Sequence, residues 1–129
     1  MTSDELNELS HRVMSAAYSV HTELGPGLLE SAYKACLVYE LNKRGIGTAV
    51  EVPVPLVYDG NKLGDVGYRI DTLVAGELVI EVKAIEVIAP VHGAQLVSYL
   101  KLSGRRLGLL INFNTASLKD GIFRRVNGL

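Results

Sequence analysis

The chain has 129 residues, 48% of them hydrophobic and 21% charged, with a formal net charge of −1. That is about one domain's length with the composition of an ordered globular protein, which argues against a disordered chain and against a strongly basic nucleic-acid binder. No run approaches ~18 uninterrupted apolar residues, so no membrane contact is expected.

The opening "MTSDELNELS" is acidic and polar, the wrong chemistry for a targeting peptide, and a cytoplasmic location is the expectation. Thr2 followed by Glu5 has capping-box spacing, and Leu6, Leu9, Val13, Ala17, Val20 and Leu24 recur at helical intervals, predicting a first helix over about 3–24. His21, near its end, reads as a partner of the helix C-terminus rather than as a catalyst. "GPG" at 25–27 ends this helix. A second helix is predicted over about 28–43, with Leu29, Ala32, Cys36 and Tyr39 on its apolar stripe. Cys36, the only cysteine, cannot form an internal disulfide and reads as a small core residue.

From Ala49 to Tyr58 the period becomes two, and Pro53 and Pro55 mark the strand as an edge or irregular one. "DGNK" at 59–62 is turn chemistry, followed by strand-like runs at about 65–74 and 78–84. A third helix over 91–103, stopped by Gly104, precedes a short buried strand at 106–113, and "GIFRRV" near the end adds a candidate last strand. The expected order is ααβββαβ(β) in one domain spanning 1–129.

Charge is unevenly spread along this order. Residues 1–81 hold six Lys/Arg against twelve Asp/Glu, and residues 82–129 hold seven against two. Lys101, Arg105, Arg106, Lys119, Arg124 and Arg125 are therefore candidates for a shared nucleic-acid contact face, with scattered solvated charges as the ordinary alternative.

The most informative stretch is "IDTLVAGELVIEVKAIE", residues 70–86, where Asp71, Glu81 and Lys83 interrupt two apolar strands. Alternation puts Val79, Glu81 and Lys83 on one face of their strand and Arg69 with Asp71 on the charged face of the preceding one. An odd number of residues in the turn around Ala75, Gly76 and Glu77 would point Asp71 and Glu81 the same way, and an even number would separate them. Two carboxylates at 4 Å repel by on the order of 4 kcal/mol at an effective dielectric near 20, so such a pair calls for a proton, a cation or solvent. A hard divalent ion suits it, and Lys83 could then orient or deprotonate an attacking water. Cross-strand ion pairs on a wet sheet face are the alternative. His92, Gln95 and Tyr99 form a polar stripe on the third helix that could cover the charged face; His92 reads as a supporting group behind the metal-binding acids or a phosphate contact, and equally as an exposed residue. No Gly-rich phosphate loop, zinc-type Cys/His cluster or Gly-x-Ser-x-Gly elbow is present.

"GLLESAY" (27–33), "RIDTLV", "IEVKAIE", "VHGAQLVSYLK" and "LGLLINFN" together resemble the GxxExxY family of the PD-(D/E)xK nuclease superfamily, from His21 to about Val126. The resemblance implies an α+β, restriction-endonuclease-like mixed sheet flanked by helices. It implies Asp71 and Glu81 as metal-binding acids, Lys83 as the catalytic lysine, Glu30 as a further acid and metal ligand, and Gln95 with Tyr99 as supporting polar residues. Glu30 also reads as an ordinary first-turn acid, and Tyr33, one turn away, as a hydrogen-bond partner of Glu30 or a core residue. Three positions depart from the family pattern. Ile70 stands where the superfamily has proline, and Gly93 and Asn114 stand where a glutamate and a glycine are common; Asn114 is expected to tolerate a left-handed backbone. The expectation is a nuclease using Mg²⁺ or Mn²⁺ on DNA or RNA, with a homodimer as one way to enlarge its positive surface. The alternative is an inactive nuclease fold that binds nucleic acid or a protein.

Overall fold

A computed structural model describes all residues, 1–129. Its elements are α1 (Ser3–Leu24), α2 (Glu30–Lys43), β1 (Thr48–Tyr58), β2 (Asn61–Val74), β3 (Leu78–Lys83), α3 (Pro90–Ser103), β4 (Leu107–Asn112), a single 3-10 turn at Leu118–Gly121 and β5 (Ile122–Val126). The five strands form one sheet in the order β1-β2-β3-β4-β5, and only β3 and β4 are parallel. That parallel pair is joined by α3, as a parallel connection requires a crossover. The expected α+β, restriction-endonuclease-like architecture and its ααβββαβ(β) order are both present, with "GIFRRV" as the last strand.

Local chemistry explains most boundaries. Thr2 caps α1 by accepting the Glu5 N–H at 3.1 Å while Glu5 accepts the Thr2 N–H at 2.9 Å, the reciprocal pair that the spacing predicted. Gly104 ends α3 in the left-handed region at φ 68°. Asp59 and Gly60 both have positive φ, which is what a two-residue turn between Tyr58 and Asn61 demands. β1 lies at the sheet edge, as its prolines require.

Alternation along the central strands feeds two cores. Leu78, Ile80, Val82, Leu107, Leu109 and Ile111 pack with α1 and α2 in the larger one. Val79 and Leu110 pack with Leu96 and Leu100 of α3 in the smaller one. The sheet is thus the middle layer of three, and β4, covered on both sides, is buried at all six residues. At Gly108 an added Cβ would stand 2.8 Å from the Leu96 side chain, so α3 lies directly on the β4 backbone.

The apolar stripe expected on α2 is corrected. Tyr33, Leu37 and Leu41 are its buried residues, whereas Leu29 is 77% and Tyr39 68% exposed; Cys36 sits at the margin of the larger core. The helix has two stripes with suitable spacing, and only contact with α1 and the sheet selects one.

Candidate metal and active site

The turn from β2 to β3 has three loop residues, because Val74 pairs with Leu78, Leu73 with Val79 and Thr72 with Ile80. The count is odd, and continuing the register puts Asp71 opposite Glu81. The ladder itself stops one pair short of them. In its place Asp71 Oδ2 accepts the Val82 N–H at 2.7 Å, so the strands part where the two acids meet, and β2 runs on toward Asn61 paired only with β1. The opening is a polar cleft of about 300 Å³ lined by Glu30, Lys34, Arg69, Asp71, Glu81 and Lys83, among others. A larger hollow of about 390 Å³ lies between α1 and α2; its charged lining is Glu23, Glu40 and Lys43, and it shares no residue with the polar cleft.

Glu81 is the most perturbed group in the cleft. Burial, then the negative charge of Asp71, push its carboxyl up from 4.5 to about 7, Glu30 adding slightly and Lys83 opposing. Its Oε1 is buried and has no hydrogen-bond partner. A buried carboxylate oxygen without a donor is costly, and a divalent cation would satisfy it. No three Asp, Glu, His or Cys side chains already stand together as a closed metal cage. Mg²⁺ does not need one, since it usually takes one or two carboxylates and keeps several waters. The donor set fits such an ion.

Lys83 is held at the end of β3 by two contacts to neighbouring backbone. It pairs in register with Asn112, and its carbonyl accepts the Phe113 N–H at 2.9 Å. Asn112 is buried and clamps the chain two residues later, donating to the Ile85 carbonyl at 2.9 Å and accepting the Ile85 N–H at 3.1 Å. The strand end that carries the lysine therefore has little freedom.

The other expected residues divide into those near the acids and those elsewhere. Glu30, in the first turn of α2, is exposed and lines the cleft. Tyr99 stacks on Tyr68 with ring centroids 4.1 Å apart, and its phenol is raised by burial and by the charge of Glu81, but it does not line the cleft. Gln95 is exposed on α3 and does not line the cleft. His92 is half-buried, and its Nδ1 accepts the Ala89 N–H at 2.8 Å, so the imidazole caps α3. Tyr33 does not bond Glu30. Its buried ring stacks on Phe113 with centroids 4.8 Å apart, and its hydroxyl donates to the Gly25 carbonyl and accepts the Leu28 N–H, tying the "GPG" loop to α2. Its effect on Glu30 is indirect, through the position of the helix start.

The basic residues of the C-terminal third are not gathered at the cleft. Leu107 pairs with Leu78, so Arg105 and Arg106 lie at the opposite end of β3 from Lys83, roughly 20 Å along the sheet. Arg105 donates to the Gly76 carbonyl, Arg106 to the Met1 carbonyl, and Arg124 to Asn7. Arg125 lies over Gly93, where any Cβ would stand 2.9 Å from its guanidinium; this is why a glutamate cannot be accommodated there without a shift. Lys101 and Lys119 are exposed. Asn114 does not adopt a left-handed backbone, and its N–H donates to Asn112 at 3.2 Å. His21 is buried and hydrogen-bonds the Thr115 carbonyl at 2.8 Å, a structural tie from the end of α1.

Two residues in the cleft went unread in the sequence. Lys34 Nζ lies 2.6 Å from Asp71 Oδ1 and also bonds Glu51 of β1. Lys34 follows Glu30 by four residues and so shares its helix face, a spacing that could have brought it forward.

A mixed sheet that opens between two strands, with an aspartate on one and Glu-x-Lys on the other, is the frame of the restriction-endonuclease-like nucleases. A sequence profile of the PD-(D/E)XK nuclease superfamily matches residues 7–126, and the chain belongs to that superfamily. No curated protein and no solved structure matches the chain significantly. Nucleases of this superfamily generally use divalent metals and act on nucleic acids, and the nuclease-like character of the chain follows from its membership.

Proposed function

We propose that the protein is a metal-dependent nuclease of the GxxExxY group, its 1–129 chain acting as one domain that hydrolyses phosphodiester bonds of DNA or RNA. Asp71 and Glu81, with Glu30 at the cleft rim, would hold Mg²⁺ or Mn²⁺. When bound, the ion supplies Lewis-acid polarisation of a phosphate oxygen and charge neutralisation. Lys83, fixed at the end of β3, orients the attacking water and balances charge developing on the phosphate. Tyr99, whose phenol is raised by burial and by the charge of Glu81, and Gln95, exposed on the same helix and outside the cleft lining, would be the supporting polar residues. The observation that carries this reading is the buried, unpartnered Oε1 of Glu81 next to Asp71.

Two experiments test it. Calorimetric titration with Mg²⁺ or Mn²⁺ should show binding to the wild type and loss of it in Asp71→Asn. In a nuclease assay, Lys83→Ala should abolish cleavage while metal binding persists; full cleavage by this variant removes the role given to the lysine.

A second reading, an inactive fold that binds nucleic acid, is favoured by the placement of the C-terminal basic residues away from the cleft. Binding that weakens with salt but never leads to cleavage in Mg²⁺ or Mn²⁺ would select it. Because few cations border the cleft, a homodimer would add positive surface, which sedimentation equilibrium can detect.

A further inference from the structure

Both oxygens of Asp71 are already engaged. Oδ2 accepts the Val82 N–H at 2.7 Å, and Oδ1 is 2.6 Å from the ammonium of Lys34. The same ammonium bonds Glu51, so it sits between two carboxylates as a cation would. These three side chains differ in freedom: those of Lys34 and Asp71 are 20% and 15% exposed, while that of Glu51 is 58% exposed. Glu51 also lies in the gap of the β1–β2 ladder opposite Asp71, between the pairs Val50–Thr72 and Val52–Ile70, with a positive φ of 51° uncommon for a non-glycine residue. The local backbone departs from regular strand where its carboxylate meets Lys34.

A divalent ion on Asp71 would take an oxygen at about 2.0–2.1 Å. It would then stand within roughly 5 Å of the Lys34 ammonium as now placed, and the two cations repel. We propose that Lys34 is the resident cation of this site: its ammonium neutralises Asp71 before metal enters, opposes metal entry, and transfers wholly to Glu51 when the ion binds. Affinity for the metal is thereby set by a residue that does not ligate it. Lys34 is a positioning residue, and Glu51 is its receiving partner. This rests on the metal-site reading above.

Calorimetric titration of the full chain with Mn²⁺ alone, without nucleic acid, is the test. Lys34→Met should bind at least tenfold more tightly than the wild type, and Lys34→Gln should shift in the same direction if the first variant folds poorly by circular dichroism. Glu51→Gln should weaken binding when Lys34 is present and have no effect in the Lys34→Met background, because only the lysine needs that carboxylate. Unchanged or weaker binding by Lys34→Met and Lys34→Gln overturns the proposal, as does equal weakening by Glu51→Gln in both backgrounds, which would make Glu51 a ligand. If the wild type binds metal and loses it in Asp71→Asn, such results reject this proposal alone. If neither the wild type nor the Lys34 variants bind Mn²⁺, the metal-site reading falls with it.

Discussion

Glu81 shows how one side chain couples the stability of this fold to the chemistry of its cleft. Folding buries its carboxyl beside Asp71 and raises it from 4.5 to about 7. The folded chain therefore keeps this proton to a higher pH than the unfolded one, so the contribution is most favourable below 4.5, declines between 4.5 and about 7, and is level above that. The decline is on the order of 3 kcal/mol. In metal-free buffer Glu81→Gln should thus match the wild type near pH 4.5 and exceed it by on the order of 3 kcal/mol at pH 8 in urea unfolding. An equal gap at both pH values would mean that the carboxyl is not held as described. Adding Mg²⁺ at pH 8 should raise the melting temperature of the wild type, and leave that of Glu81→Gln unchanged, since a ligand bound only to the folded form stabilises it.

At the level of elements, two polar side chains lock the segments that carry the site. Tyr33 holds the loop ahead of α2 through the Gly25 carbonyl and the Leu28 N–H. Tyr33→Phe keeps the stack on Phe113 but leaves both groups without that partner, and should cost about 1–3 kcal/mol in urea unfolding. Asn112 satisfies Ile85 on both sides and the Asn114 N–H as well. Asn112→Leu loses all three bonds in a buried position and should cost about 3 kcal/mol or more. It should also slow cleavage, because the end of β3 loosens beside Lys83. Stability equal to the wild type in Asn112→Leu would show that the clamp is dispensable.

Across the whole molecule, net charge and charge placement predict a modest electrostatic footprint. The cations bordering the acidic cleft are Lys34, Arg69 and Lys83, whereas Arg105 and Arg106 lie at the other end of the sheet. Three phosphate contacts correspond to a slope of log K against log salt of about −3 on duplex DNA. A measured slope steeper than about −5 would show that the distant arginines also touch the nucleic acid, and Arg105→Ala with Arg106→Ala should then flatten it.

Much of this was legible along the chain because its signals are local. The Thr2 and Glu5 cap, the alternation of Leu78 to Lys83 and the edge prolines each act over a few residues, whereas the turn between β2 and β3 was readable only as an open choice of parity, which its three residues settle by setting Asp71 opposite Glu81. Asp71, Glu81 and Lys83 could be singled out for the same reason, since charge in a buried strand is anomalous wherever the strand lies. Three features could not be read this way. The buried face of α2 was chosen by its neighbours, the Tyr33 hydroxyl found a loop rather than Glu30, and Arg105 and Arg106 were carried away from the cleft by the parallel pairing of β4 with β3. Glu51 is the sharpest case. Counting back from the Tyr58–Asn61 turn would set it opposite Tyr68, but bulges around Leu56 shift the register by three residues and bring it to Asp71, where Lys34 from a separate helix joins them. Periodicity and turn length determine which residues are charged, buried or paired within an element; which charges meet across elements is decided by register shifts and packing, because those depend on backbone irregularities and contacts far apart in the chain.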